Sequence, residues 1–420
     1  MKVLWFTNIP MPTMIQKDDK SFAGTGGWML ALLDSLSKER KDMEIGVACI
    51  YPGLKTQTFK QNNITYFAIS QGPKKRLFYF RNLDFKKDFL KKCLDIINLY
   101  QPDIIHIHGT ERPYGLLTTF KELKIPIVIS IQGLISECSK WIYTFGDLDL
   151  ISILKMHNFF RFIRGIGPLW EYIQFKKKAK IEKKILKNCQ FVFGRTLWDK
   201  AKVMAVNPKV IYYHIGEILR SEFYKNKWDI HNISRYSIFY TNASGPRRNL
   251  HVLYKAIALL KEKFPKIHLF LAGSPSIEYK KFLTKLAKKL NIEKQITFLG
   301  PLNARQIVKY LSTSHVFVIP SLIENSPNSL CEAQLVGIPC IASYTGGIIS
   351  LVKHRETGLL FPPHDSDLLA NYIAEIFESD KLAITISKNA RYVARKRHDP
   401  KKIIEDLSNA YQDIIERYNK

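Results

Sequence analysis

Short apolar runs alternate with longer stretches of helical spacing along the whole chain. KVLWFTN (2–8), EIGVACI (44–50), DIIHIHG (103–109), IPIVISI (125–131) and CQFVFG (189–194) are rich in Val, Ile and Phe on both strand faces. FKKDFLKKCLDIINLY (85–100) instead repeats its apolar residues at helical intervals. The second half shows the same alternation: SIFYTNA (237–243), IHLFLAG (267–273), QITFLG (295–300), HVFVIPS (315–321) and IPCIAS (338–343) read as strands, and LHVLYKAIALLKEKF (250–264) as a helix. Strands apolar on both faces and separated by helices predict parallel sheets covered on either side. The polar, irregular run EILRSEFYKNKWDIHNISR places the break between the halves within 215–236. The expected fold is α/β: two doubly wound parallel-sheet domains, 1–215 and 236–395, facing each other across a cleft. Residues 396–420 are expected to form a C-terminal helix that packs back on the N-terminal domain. In open parallel sheets, ligands bind beyond the carboxyl ends of the strands, so the loops after strands carry the candidate chemistry.

Composition narrows this picture. A chain of 420 residues suits two domains, and 46% hydrophobic residues suffice for sizeable cores. Lys and Arg number 64 against 37 acids, a formal charge of +27 that attracts polyanions without choosing among nucleic acid, anionic lipid and phosphorylated substrates. Cys49, Cys93, Cys138, Cys189, Cys331 and Cys340 form no CxxC pair and stand at no metal-ligand spacing with His, which fits a reducing compartment. The N-terminal apolar run is too short for a signal peptide, and no stretch approaches the ~18 apolar residues of a membrane span. The expectation is a cytoplasmic protein, soluble or peripheral.

Two common phosphate motifs are missing. There is no GxxxxGK[ST], and the first strand leads into NIPMPTMIQKDDKSFAGTGGW rather than a tight GxGxxG, which disfavours P-loop and dinucleotide enzymes. The loop PSLIENSPNSLCEA (320–333) is more informative. Ser326 is expected to cap a helix with Pro327 at its first position, leaving backbone N–H groups as an anion site. Glu332 shares a helix face with Asn328 and Ser329. A carboxylate would repel phosphate, so Glu332 and Glu324 suit neutral hydroxyls flanking a diphosphate, as in a nucleotide-sugar. Spacing alone leaves a second reading open, in which Glu332 is helix-start electrostatics and Glu324 a solvated loop charge. In TNASGPRRNLHVLYKA (241–256), Arg247 and Arg248 precede a helix, where cations oppose the helix dipole and are better explained by a diphosphate.

The Glu-x7-Glu spacing, with SLIENSPNSLCEAQLVGIPCIAS, YTGG and ETGLLFPPHD around it, resembles the signature of the retaining glycosyltransferases of family four, which have the GT-B fold. SIQGLIS, GRTLWDKA and YYHIGEILRSEFY resemble a bacterial branch that builds capsule, O-antigen or exopolysaccharide. The resemblance runs over nearly the whole chain and is strongest over 236–367. It implies that Glu332 binds the nucleotide ribose, that Glu324 contacts the donor sugar, and that the turn Asn325, Ser326, Pro327, Asn328 meets diphosphate and sugar oxygens, with Ser329 beside it. It aligns Arg248 with the family's phosphate-binding Lys and Asn249 with the following Gly. Asn242 stands where the family has an Arg, leaving Arg247 as the substitute cation. Gly24, Gly26 and Gly27 end the first long loop, and in the family a Gly-Gly there lies under the diphosphate or acceptor. His106 and His108 share a strand face. His106 lies deeper and reads as a core residue, whereas the family often has a His at the position of His108 touching the donor sugar. Arg195, Glu217 and Arg220 are further cleft candidates.

No DxD pair stands in a strand-end loop; Asp147 and Asp149 have the spacing but a Leu-rich context. The expected enzyme therefore needs no metal and no cofactor beyond a UDP- or GDP-linked sugar as co-substrate, with arginine stabilising the leaving group. Residues 155–187 carry ten Lys or Arg interleaved with aromatic residues, which suits an anionic membrane surface and an acceptor on a lipid carrier. A nucleic-acid groove would also use such charge, but no recognition motif accompanies it, so no nucleic-acid partner is expected. The expected activity is transfer of a sugar from a nucleotide-diphosphate donor to an oligosaccharide or lipid-linked acceptor, with retention, at the inner face of the membrane in surface polysaccharide assembly. The alternatives are a nucleotide-sugar epimerase of similar two-domain fold and a basic nucleic-acid-binding protein.

Overall fold

The computed structural model describes residues 1–9, 27–51, 56–61, 63–70, 85–141 and 168–420. They divide into two compact units. The first gathers the described residues of Met1–Ser139, His157–Ile218 and Pro400–Lys420, and the second those of Lys140–Met156 and Leu219–Asp399.

The first unit holds the strands β1 (Lys2–Thr7), β2 (Glu44–Tyr51), β3 (Gln57–Gln61), β4 (Ile64–Ser70), β5 (Ile104–His108), β6 (Ile127–Ser130), β7 (Phe191–Gly194) and β8 (Ile211–His214), in the sheet order β3-β4-β2-β1-β5-β6-β7-β8. Seven strands run parallel, and the polar edge strand β3 pairs antiparallel to β4. Strand alternation sends Val3 and Trp5 to one face, where they pack with Leu33 and Leu36 of the helix Gly27–Glu39 and with Leu407 and Tyr411 of the helix Pro400–Asn419. Leu4 and Phe6 point to the other face, against Phe89, Tyr114, Leu117 and Ile185. The chain leaves β1 toward β2 on one side and returns to β5 on the other, so the topological switch lies between β1 and β5.

The second unit holds β9 (Ser234–Tyr240), β10 (His268–Ala272), β11 (Ile296–Gly300), β12 (Ser314–Ile319), β13 (Cys340–Ser343) and β14 (Leu359–Phe361), ordered β11-β10-β9-β12-β13-β14 and all parallel. Counted from β9 this is the doubly wound order 3-2-1-4-5-6, with its switch point between β9 and β12.

Four strands escape the sequence pattern. β3 and β8 are short edge strands with few buried positions, and β14 has three residues. β4 is apolar, but it follows β2 with no helical run between them, so a strand–helix alternation passes over it. The run expected to separate the domains also differs. Leu219, Phe223, Trp228 and Ile230 are buried in the core of the second unit, so that unit begins at Leu219 rather than 236. Spaced between polar residues, these apolar anchors show neither a helix nor a strand period.

Candidate active site

At the switch point of the second sheet, the loops after β9 and β12 lie side by side. Leu322 N–H donates to the Arg247 carbonyl at 3.0 Å. Asn249 is buried in the left-handed region, φ 58°, and its amide donates to the carbonyls of Pro320 at 2.9 Å and Pro363 at 2.5 Å. Glycine is the default residue for that backbone and asparagine the best-tolerated alternative. Here the asparagine also ties three loops together. Arg247 and Arg248 close a helical turn, Pro246–Arg248, just ahead of the helix Leu250–Leu260.

Both arginines point at Glu324. Arg248 Nη1 donates to Glu324 Oε1. Arg247 Nη1 lies 3.5 Å from Glu324 Oε2 and donates to the Ile323 carbonyl at 2.8 Å. The Glu324 side chain is 10% exposed. Burial pushes its carboxyl up, Arg248 and then Arg247 pull it down, and the net shift is downward, so the carboxylate is ionised. The cluster of two cations and one anion keeps one positive charge. Gly346 sits at φ 51°, and a Cβ there would lie 2.0 Å from the Glu324 carbonyl oxygen, while Gly347 N–H donates to that oxygen at 2.9 Å. The Gly-Gly of YTGG thus lets this loop close on the backbone of Glu324.

The helix Asn328–Val336 begins differently from expectation. Pro327 occupies the N-cap position with no side-chain cap, and Ser326 Oγ lies 3.8 Å from Cys331 Sγ instead of capping. The reason is the extended backbone at Pro327, which shifts the first helical residue to Asn328. Asn325 and Ser326 are buried; Pro327, Asn328 and Ser329 are partly exposed. Glu332 is buried on this helix, and Arg220 grips it bidentately, Nε to Oε1 and Nη2 to Oε2, each at 2.9 Å. Arg220 also lies over the Phe223 ring, 4.7 Å from its centroid. Sequence reasoning missed the other end of this helix. Arg391 Nη1 donates to the carbonyls of Leu335 and Val336, and Arg397 Nη2 to Gln334 Oε1 at 2.6 Å. Cations at helix carbonyls are favourable, but arginines some 60 residues away leave no local signal.

At the switch point of the first sheet, His108 ends β5 beside Thr7 of β1 and Ser130 of β6. His106 is fully hydrogen-bonded, to the Tyr411 and Ser130 hydroxyls, both at 2.6 Å. His108 is 1% exposed, and neither ring nitrogen has a hydrogen-bond partner among the described residues. Burial, with Arg195 adding to it, lowers its pKa to about 3, so the ring is neutral. The two imidazoles pack with centroids 3.8 Å apart. A pocket here is lined by Trp28, His106, His108, Ser130, Arg195 and Glu217, among others. Arg195 pairs with Glu217 at 3.0 Å and covers Trp28 at 5.1 Å. Gly27 is the first residue of the helix Gly27–Glu39; Gly24 and Gly26 lie outside the described residues. Glu111 was not singled out in the sequence. It accepts from the Asn8 amide, and burial pushes its carboxyl up to about 7, with Glu182 contributing.

Of the basic segment, 155–167 lies outside the described residues, as do Asp147 and Asp149. In the helix Pro168–Asn188, Lys176, Lys177, Lys180, Lys183, Lys184 and Lys187 are exposed, while Ile185 and Leu186 are buried. Glu182 faces inward, accepting from the Thr110 hydroxyl at 2.5 Å and from the N–H groups of Ile135 and Ser136, both at 2.8 Å. Among the described residues no three His, Cys, Asp or Glu side chains gather as metal ligands, and no helix is long and apolar enough to cross a membrane.

Comparison with known proteins fits this architecture. Over 99% of its length the chain superposes on all of the sucrose-phosphate synthase from Thermosynechococcus elongatus, with a TM-score of 0.76 and 17% identity. The fold is GT-B, two parallel-sheet α/β domains. Residues 222–393 match the family described as glycosyl transferases group 1, so the family likeness resides in the second unit. The chain is 30% identical to a D-inositol 3-phosphate glycosyltransferase of Corynebacterium efficiens over 36% of each chain. It is 33% identical to the UDP-Gal:alpha-D-GlcNAc-diphosphoundecaprenol alpha-1,3-galactosyltransferase of Escherichia coli over 30% of this chain and 32% of that one. The chain thus spans about a third of the length of these curated relatives.

Proposed function

We propose that the protein is a glycosyltransferase that moves a sugar from a nucleoside-diphosphate donor to a saccharide acceptor. The observation that carries this reading is the Arg247–Arg248–Glu324 cluster at the switch point of the second sheet, within the matched residues. The two arginines suit the diphosphate whose charge grows as the sugar–phosphate bond breaks, so no metal is required by this chemistry. Diphosphate replaces Glu324 as their counterion, and Glu324, held ionised, then accepts from a sugar hydroxyl. The helix start at Asn328 suits phosphate oxygens, and Glu332, oriented by Arg220, suits the vicinal hydroxyls of a ribose. His108 supplies a contact for a sugar hydroxyl in the first unit. A uridine nucleotide is favoured by the relative whose name includes UDP-Gal, and its diphosphoundecaprenol acceptor favours a lipid-linked saccharide. The lysine-rich face of the helix Pro168–Asn188 fits an anionic membrane surface near such an acceptor. The reading extends to retention and to surface polysaccharide assembly, both implied by the resemblance.

A panel of UDP- and GDP-sugars with saccharide acceptors tests this. We expect acceptor-dependent transfer, with Glu324→Gln and Glu332→Gln each lowering turnover by about 10-fold or more. Isomerisation of the donor without any need for acceptor indicates an epimerase. Wild-type turnover in both variants overturns the assignment of the two carboxylates.

A further inference from the structure

Trp5, Tyr411, His106 and Ser130 form a buried hydrogen-bonded chain beneath the pocket of the first unit. Trp5 Nε1 donates to Tyr411 Oη at 3.1 Å, Tyr411 Oη meets His106 Nδ1 at 2.6 Å, and His106 Nε2 meets Ser130 Oγ at 2.6 Å. Indole can only donate, so the Tyr411 oxygen accepts from Trp5. If it also accepted from His106, its own buried hydroxyl proton would lack an acceptor among the described residues. Four donor protons share three bonds, so one is left over, and the arrangement that leaves it at the pocket rather than in the interior runs one way: Trp5 N–H to Tyr411, Tyr411 O–H to His106 Nδ1, and His106 Nε2–H to Ser130 Oγ. Ser130 is then relieved of donating to His106, and its hydroxyl proton is available to the pocket that it lines. His106 cannot rotate without breaking two hydrogen bonds, and its ring packs against that of His108, 3.8 Å away. Trp5 closes on His108 from another side, with ring centroids 4.5 Å apart.

We infer that Tyr411 and His106 are positioning residues: Tyr411, from the C-terminal helix, sets the tautomer and orientation of His106, which holds the ring of His108 with both nitrogens unpartnered among the described residues, at a pocket that Ser130 also lines. The pocket so prepared takes a single hydroxyl of a ligand, between His108 and Ser130. The inference rests on the proposed sugar contact of His108 for its effect on catalysis, but not for the tautomer.

The test uses the full-length protein with 15N-labelled histidine. In the wild type, the ring nitrogen shifts should show His106 protonated at Nε2. In Tyr411→Phe the Nδ1 donor is lost, the His106 tautomer should become mixed, and the His108 resonances should shift. Turnover should fall about 10-fold with the donor KM within about two-fold, because Tyr411 touches no ligand. Ser130→Ala removes the other end of the chain and should shift the same tautomer, which covers the case in which Tyr411→Phe folds poorly. His106 protonated at Nδ1 in the wild type, or unchanged His108 resonances in whichever variants fold, overturns the inference. If the wild type transfers no sugar to any acceptor, the proposed function fails, and the tautomer measurement still decides the inference. Wild-type turnover in a Tyr411→Phe protein whose tautomer has changed overturns the catalytic part.

Discussion

Glu324 and His108 occupy comparable places in their units: each follows or ends the strand that neighbours the first strand at a switch point, β12 beside β9 and β5 beside β1. Their surroundings are opposite. Glu324 is charged and sits between two arginines, so its charge is balanced within the protein. His108 is neutral, enclosed by aromatic rings, and has two nitrogens without partners among the described residues. Paired charges satisfy one another within the protein, whereas a neutral buried ring with no protein partner depends on a group from outside the described residues for its hydrogen bonds.

The largest effect expected from this contrast is at Arg248. Arg248→Ala leaves Glu324 with Arg247, 3.5 Å away, as its remaining cation. It should lower unfolding stability by about 2–3 kcal/mol, below the full cost of orphaning a buried charge, and turnover by about 100-fold or more. Urea unfolding and donor kinetics check both, and unchanged stability would mean that Glu324 is solvated rather than paired. His108→Phe should behave in the opposite way. Removing two unpartnered nitrogens leaves thermal stability equal or higher, while turnover drops about 10-fold. A large loss of stability there would show that His108 is bonded in the empty protein.

The smallest effect is on pH dependence. The folded-state pKa of Glu111 is raised from 4.5 to about 7, so the unfolded chain releases its proton first. Its contribution to stability is complete below pH 4.5 and is lost as pH rises to about 7. The depressed pKa of His108 has the reverse sign, with stability lost as pH falls from 6.5 toward about 3. Glu111→Gln should therefore remove a decline between pH 5 and 7.5 without touching the acid side; equal slopes in wild type and variant would show that Glu111 titrates normally.

The order of strand and helix, the two parallel sheets and the candidate loops were legible because buried parallel strands must be apolar on both faces, and because Gly, Pro and Asn mark the turns. Glu324, Glu332, Arg247 and Arg248 stood out because their loops break the apolar pattern at strand ends. The partners of those residues were not legible. Arg220 reaches Glu332 across 112 residues, and Arg391 reaches the end of the same helix from 55 or 56 residues away. Ser326 was misread as a cap because Ser-Pro is a common helix start, whereas the extended backbone at Pro327 moved the start by one residue. Asn249 shows the two levels together: its identity hints at a left-handed backbone, but only the fold shows which carbonyls its amide joins.

By itself, the sequence determined that this chain builds two parallel α/β sheets with carboxylates and arginines in the loops after their strands, because local periodicity and turn chemistry are written residue by residue. The tertiary structure decided which charges meet, that Tyr411 of the C-terminal helix reaches His106, and that both nitrogens of His108 have no partner among the described residues. Those outcomes depend on contacts between residues up to 406 positions apart, such as Trp5 and Tyr411. They form only when packing fixes both partners in the same few ångströms.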